Sequence, residues 1–248
     1  MRLQSAIFDM DGTLLDSMPT WRELGPTFLK EAGISATPEQ DRMLHTLADC
    51  DVIPYLREVC GLPWSQQEII DQIIQRMETF YSSQVRPKPG LEKFLSILKM
   101  EGVWMYVATA THRRLTEKAL KTAGIDHYFR GIVTSADAGN HKSESADIYE
   151  MAMRRLQSNK RDTVVFEDAL HAIRTAKAAG FRVAGVYEAT AEQDQPEIQR
   201  LCDYYIRSYE ELVQSETFRA SQKEPYGSFF SKSFSNAVTN RAPNGYNR

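Results

Sequence analysis

Two aspartates separated by a single residue, Asp9 and Asp11, end the short apolar run Ser5-Ala-Ile-Phe8 and precede Gly12. If that run is a strand of an open α/β sheet, both carboxylates reach the carboxyl edge, where such sheets bind ligands. Placed there, they can hold a divalent cation through hard oxygen ligands, and one can act as a nucleophile. A plain Asp-Gly turn at a strand end is the other reading. Thr109-Ala110-Thr111 follows the apolar run 103–108 and leads into a helical stretch. A hydroxyl and free backbone N–H groups at such a junction suit phosphate oxygens, although Thr109 could equally cap the helix. Glu167-Asp168 end a third apolar run and open another helix, where acids are favourable and can be purely structural. Lys142 lies in the polar stretch His141-Lys-Ser-Glu-Ser-Ala-Asp147-Ile-Tyr149, where a lysine is ordinarily solvated.

The elements that must position these residues follow from hydrophobic periodicity. Apolar runs at 5–8, 103–108, 131–134, 163–166, 182–186 and 204–206 read as strands, and amphipathic stretches at 114–123, 146–156 and 169–179 as helices between them. Gly124 and Gly180 supply helix stop signals. The alternation predicts a doubly wound, Rossmann-like parallel sheet. Residues 17–86 break it with helix-like runs at 20–32, 39–48, 52–59 and 65–83, separated by Gly33, the Ile53-Pro54 step and Gly61-Leu-Pro63. The prediction is an α/β core over 1–16 and 87–214 with an all-helical cap inserted over 17–86. Arg86-Pro-Lys-Pro-Gly90 reads as the stiff return linker, and with residues 16–19 it would hinge the cap.

The string Phe8-Asp9-Met-Asp11-Gly-Thr-Leu-Leu-Asp16-Ser17 is followed in order by Thr109, by Lys142 with Asp147-Ile-Tyr149, and by Glu167-Asp168. Together these resemble the haloacid dehalogenase superfamily, in its branch of helical-capped phosphatases and phosphomutases, over about residues 4–214. The resemblance implies that Asp9 attacks a phosphoryl group to form an aspartyl-phosphate. It implies that Asp11 protonates the leaving oxygen and later activates water, with its backbone carbonyl facing the metal. Thr109 and the following Ala110 would bind phosphate, and Lys142 would neutralise the phosphate and Asp9. Asp168 and Glu167 would complete the metal site with Asp9 and Asp11. Where the family has Gly-Lys-Pro-x-Pro, this chain has His141, Ser143 and Ser145, and Ala169 stands in place of a serine. Oxygen ligands and a phosphate substrate point to Mg2+; the five histidines are dispersed and offer no zinc site. Trp21, His112 and Arg113 are the candidates for substrate contact, although His112 reads more readily as an exposed histidine at a helix start and Trp21 equally well as a core-facing residue of the cap. Trp21 stands at the offset of a histidine that phosphoglucomutases use, and 47–51 lacks an arginine, so hydrolysis of a small phosphorylated metabolite is favoured over mutase chemistry. A catalytically silent binder that keeps the fold is the remaining alternative.

Composition agrees. With 248 residues, 42% hydrophobic and 25% charged, the chain can bury a substantial core. A net charge of -3 gives no basic excess for nucleic acid or a membrane surface. The three cysteines lack metal spacing and fit reduced thiols, and the absence of an apolar leader predicts a cytoplasmic protein. Residues 215–248 carry a net +3, with Ser and Asn but also six aromatics, and are expected to be disordered, with a docking segment as the alternative.

Overall fold

The computed structural model describes residues 3–44, 47 and 49–214, the side chains of residues 49 and 50 excepted. The expectation for 215–248 therefore lies outside the described residues, as does His45. Six parallel strands form one sheet: β1 (Ser5–Phe8), β2 (Trp104–Thr109), β3 (Ile132–Thr134), β4 (Thr163–Glu167), β5 (Arg182–Val186) and β6 (Tyr204–Ile206). Their order is β3-β2-β1-β4-β5-β6. Strands β1, β4 and most of β2 are buried on both faces, which is why they read as nearly unbroken apolar runs. β1 sits between β2 and β4, where the winding direction of the sheet reverses. That reversal opens the crevice in which α/β sheets bind ligands.

Helices cover both faces. On one side α5 (Leu91–Met100), α6 (Arg113–Thr122) and α11 (Tyr209–Gln214) pack against Ala6 and Phe8. On the other, α8 (Asp147–Arg155), α9 (Leu170–Ala178) and α10 (Gln195–Leu201) pack around Ile7 and Val165. A short helix α7 (Ser135–Ala138) follows β3. Between β1 and α5 run α1 (Met18–Glu31), α2 (Pro38–Leu44), α3 (Asp49–Glu58) and α4 (Gln66–Ser83), with no strand among the described residues. Leu24, Phe28, Leu56, Met77 and Tyr81 of these helices join the same apolar cluster as the first face of the sheet. A capping box between Ser65 and Glu68 starts α4.

The Ile53-Pro54 step does not separate helices as the sequence reading expected. α3 runs through Pro54 instead of breaking before it, beginning at Asp49, so that the proline falls in its second turn and removes a single backbone donor. The return linker runs beside the outgoing chain: Asp16 N donates to Arg86 O (3.0 Å) and Lys88 N to Leu14 O (2.9 Å). Gly90 then turns with φ +81°, and a Cβ there would meet the Glu210 backbone nitrogen at 2.4 Å. Cys60 and Cys202 are free thiols, one buried and one half-buried.

The strand that carries Glu167 and Asp168 is anchored by an aromatic stack. Phe166 lies parallel to Phe8 with ring centroids 4.3 Å apart, and Phe94 of α5 meets it edge-on at 5.8 Å. Phe166→Ala should therefore cost about 3–5 kcal/mol, the usual range for emptying a buried aromatic site. Urea unfolding followed by circular dichroism measures this, and a cost under about 1 kcal/mol would show that the stack does not anchor β4.

Candidate active site

Phe8 is in register with Val107 on one side and Phe166 on the other, so the next rung sets Asp9 beside the ends of β2 and β4. The Asp9 N–H donates to Phe166 O (2.9 Å), holding the residue in line with its strand. Immediately afterwards the chain folds back, with Leu14 N and Leu15 N both donating to Met10 O at 2.9 Å. Gly12, at φ +82°, makes the turn possible. A Cβ at that position would sit 2.2 Å from Asp168 Oδ2, so the turn and Asp168 are packed directly together.

Four charged groups meet at this edge, each almost wholly buried: Asp9 at 5%, Lys142 at 7%, Glu167 at 1% and Asp168 at 4% exposure. Lys142 Nζ donates to Asp9 Oδ1 and to Glu167 Oε2, the latter at 3.1 Å. Tyr149 OH donates to the same Glu167 oxygen (2.9 Å), and Thr13 Oγ1 donates to Asp168 Oδ1 (2.7 Å). Carboxylate oxygens of Asp9, Glu167 and Asp168 all lie within 4.8 Å of one another. Three buried carboxylates face one ammonium, an imbalance the pKa values record. Burial, then repulsion from Glu167, pushes Asp9 well above the usual carboxylate range and Asp168 up to about 8. Burial alone would lower Lys142, but Asp9 and Glu167 beside it hold its ammonium well above its ordinary value. A close-set group of hard oxygen donors with too little positive charge, packed around a glycine, fits a small divalent cation.

Asp11 lies outside that cluster. Its Oδ1 accepts from Ser17 Oγ (2.6 Å) and Tyr81 OH (2.5 Å), and its Oδ2 accepts from Thr111 Oγ1 (2.7 Å). Burial raises its pKa, and the hydrogen bonds from Ser17, Tyr81 and Thr111 pull it back. The two aspartates of the strand end thus stand in different surroundings.

The family model for haloacid dehalogenase-like hydrolases matches residues 6–186. The chain belongs to this family. A phosphorylated carbohydrates phosphatase of Thermotoga maritima is 26% identical over 185 residues, covering 74% of this chain and 85% of that protein. A fructose-1-phosphate phosphatase of Escherichia coli is likewise 26% identical over 190 residues, 75% of this chain and 97% of that one. The crystal structure of CbbY from Rhodobacter sphaeroides in complex with phosphate superposes with a TM-score of 0.68 at 24% identity, covering 86% and 96% of the two chains. That likeness is one of fold, and it covers the sheet and the helical insertion together.

Within this haloacid dehalogenase-like chain, the residues singled out from the sequence divide into two sets. Asp9, Lys142, Glu167 and Asp168 come together, and β2 and β4 run one residue beyond their predicted ends, so Thr109 and Glu167 are the last residues of their strands. Thr109 is buried and its Oγ1 accepts from Thr111 N (3.1 Å), forming the turn in which Ala110 is exposed. Ser145, at one of the positions where the family has proline, helps to hold the Lys142 loop through its N–H and its hydroxyl. His141 O accepts from Glu144 N and Ser145 N, and Ser145 Oγ accepts from Asp147 N (3.2 Å) at the start of α8.

Each of the three substrate candidates has a partner within the protein. His112 is exposed, and its Nδ1 accepts from Arg114 N (3.3 Å) as the cap of α6. Arg113 pairs with Asp137 (2.7 Å) and donates to Ile132 O (3.0 Å), bracing the end of β3. Trp21 is half-buried and donates through Nε1 to Tyr81 OH (3.0 Å). Sequence reasoning assigned no role to Thr13, Ser17, Thr111, Tyr149 or Tyr81. The first four lie inside the strings that carry the family resemblance, whereas Tyr81 has no local signal.

The raised carboxylates make stability depend on pH. Because Asp168 is raised to about 8, from roughly pH 4 to pH 8 the folded protein holds a proton there that the unfolded chain has released; Asp9 is raised in the same direction, and without a divalent cation stability falls as pH rises through this window. Thermal melts from pH 5 to pH 8.5, run with chelator and with saturating Mg2+, measure this, the values bracketing that window. We expect a declining Tm with chelator and a restored, flatter profile with Mg2+; a chelated profile that rises with pH would refute the charge imbalance.

Proposed function

We propose that this chain is a Mg2+-dependent phosphatase that hydrolyses a small phosphorylated metabolite through a phosphoryl-Asp9 intermediate. The observation that carries the reading is the separation of Asp9 from Asp11, two carboxylates of one strand end whose surroundings fit them for different tasks. Asp9, with one oxygen held by Lys142, is the nucleophile. As its other oxygen bonds to phosphorus, the ester P–O bond breaks, and Asp11 gives its proton to the departing alcohol oxygen. Asp11, now a carboxylate, takes a proton from water, whose oxygen attacks phosphorus. The Asp9–phosphorus bond breaks, inorganic phosphate leaves, and both aspartates return to their starting forms. The Thr109 hydroxyl and the exposed Ala110 turn receive the transferring group, and Lys142 offsets its charge. Asp9, Glu167, Asp168 and the Asp11 carbonyl would hold Mg2+, which when bound neutralises phosphate charge as a Lewis acid.

Sugar phosphates are the first substrate class to test, because relatives that align over three-quarters of this chain carry the names phosphorylated carbohydrates phosphatase and fructose-1-phosphate phosphatase. The helices of 17–86 form the cap over this site, on a core of 1–16 and 87–214 that would work in the cytoplasm. The half-buried Trp21, tied to Tyr81, gives no imidazole for the mutase arrangement and favours hydrolysis.

A phosphate-release screen over sugar phosphates, nucleotides and other metabolite esters tests the proposal, with product analysis for isomers. We expect inorganic phosphate to be the product, release to require Mg2+, and Asp9→Asn to reduce it by roughly 10⁴-fold or more, the scale on which loss of a nucleophile acts. Undiminished release by Asp9→Asn would remove the nucleophile assignment, and isomer formation primed by a bisphosphate would replace hydrolysis with mutase chemistry.

A further inference from the structure

We infer that Tyr81, a residue of the helical insertion, is a positioning residue that orients the Asp11 carboxyl group for proton exchange. The inference rests on the assignment of Asp11 as general acid and base.

The direction of the hydrogen bonds is determined by chemistry. Indole Nε1–H can only donate, so the Trp21–Tyr81 contact (3.0 Å) uses the phenol oxygen as acceptor. The one phenol proton is then free to point at Asp11 Oδ1, 2.5 Å away. Tyr81 thus passes a donor from α1 through α4 to a carboxyl group at the end of β1. Its ring is fully buried in the main apolar cluster, which holds the hydroxyl in place.

The same bonds select which oxygen of Asp11 does chemistry. A carboxylate offers about four acceptor positions, two on each oxygen. Ser17 and Tyr81 occupy both positions on Oδ1, whereas Oδ2 accepts from Thr111 and, among the described residues, has no second hydrogen bond of ordinary geometry. The open position is therefore on Oδ2, and the proton that Asp11 exchanges with the leaving oxygen or with water travels there. Without the phenol proton, Oδ1 regains an open position and the carboxyl group can rotate or protonate on the wrong side.

Ser17 and Thr111 approach from the chain segments that follow β1 and β2, but Tyr81 reaches Asp11 from α4. One turn earlier on the same helix, Glu78 pairs with Arg114 and, at 3.2 Å, with Lys118 of α6. These ion pairs seat α4 on the core, so the orientation of Asp11 depends on the insertion being docked.

The test compares kcat/KM for two phosphate esters, since this ratio covers steps only through phosphorylation of Asp9, before the shared hydrolysis. A sugar phosphate needs a proton on its leaving alcohol, whereas p-nitrophenyl phosphate expels a phenolate that does not. Tyr81→Phe keeps the buried ring and removes only the hydroxyl. It should lower kcat/KM for the sugar phosphate by about tenfold or more, a part of the general-acid contribution, and change p-nitrophenyl phosphate by less than about twofold. Trp21→Phe, a second variant that leaves the phenol without its donor, should move the same ratio in the same direction. An unchanged ratio in both variants, or equal slowing of both esters, overturns the role of Tyr81. Asp11→Asn is the reference and should show a larger selective loss. If Asp11→Asn shows no selectivity, the general-acid assignment itself fails; if it is selective while Tyr81→Phe is not, only the positioning role fails.

Discussion

Three carboxylates buried against a single ammonium form the constraint on which the rest of the structure depends. Taking such charges out of water is expensive unless each is supplied with donors, and here each has one from a different part of the fold. Lys142 reaches Asp9 from the loop before α8, Tyr149 of α8 reaches Glu167, and Thr13 of the turn after β1 reaches Asp168. These bonds join β1, β4 and α8 at the sheet edge, while the Phe8–Phe166–Phe94 stack fills the layer beneath them. The negative excess that remains is a standing cost to stability, and it makes the site receptive to a cation. The positive charge at this edge is local, carried by the buried Lys142.

The second organising feature is the difference in surroundings between Asp9 and Asp11. Two residues of strand separation send their carboxyl groups to different neighbours, one into the charged cluster and the other into a shell of hydroxyls from Ser17, Thr111 and Tyr81. Because one of those hydroxyls belongs to α4, the helical insertion is more than a cover: it completes the surroundings of a core residue. Its packing into the same apolar cluster as α5 and α6 is consistent with that coupling.

Much of this was legible in the sequence, for identifiable reasons. Strands buried on both faces must be apolar throughout, so β1, β2, β4 and β5 appeared within a residue or two of their true limits. Asp9, Glu167 and Asp168 could be grouped because each ends such a strand, and parallel strands deliver their carboxyl ends to one edge. Lys142 was reachable only through the family resemblance, since a lysine in a polar loop is usually solvated and its burial is a tertiary fact. The substrate candidates show the limit from the other side. Proximity along the chain suggested His112 and Arg113 as substrate contacts; in the fold His112 caps α6, as its place at a helix start allowed, and Arg113 pairs with Asp137.

By itself, the sequence determined the alternation of strands and helices, the helical interruption after β1, and the set of acids at the sheet edge, because periodicity and strand ends are local properties. Only the tertiary structure decided which groups those acids face. Tyr81 meets Asp11 across seventy positions of sequence, and Lys142 meets Asp9 across 133. Contacts at such separations depend on how packed helices seat against the sheet, and no spacing rule along the chain records that.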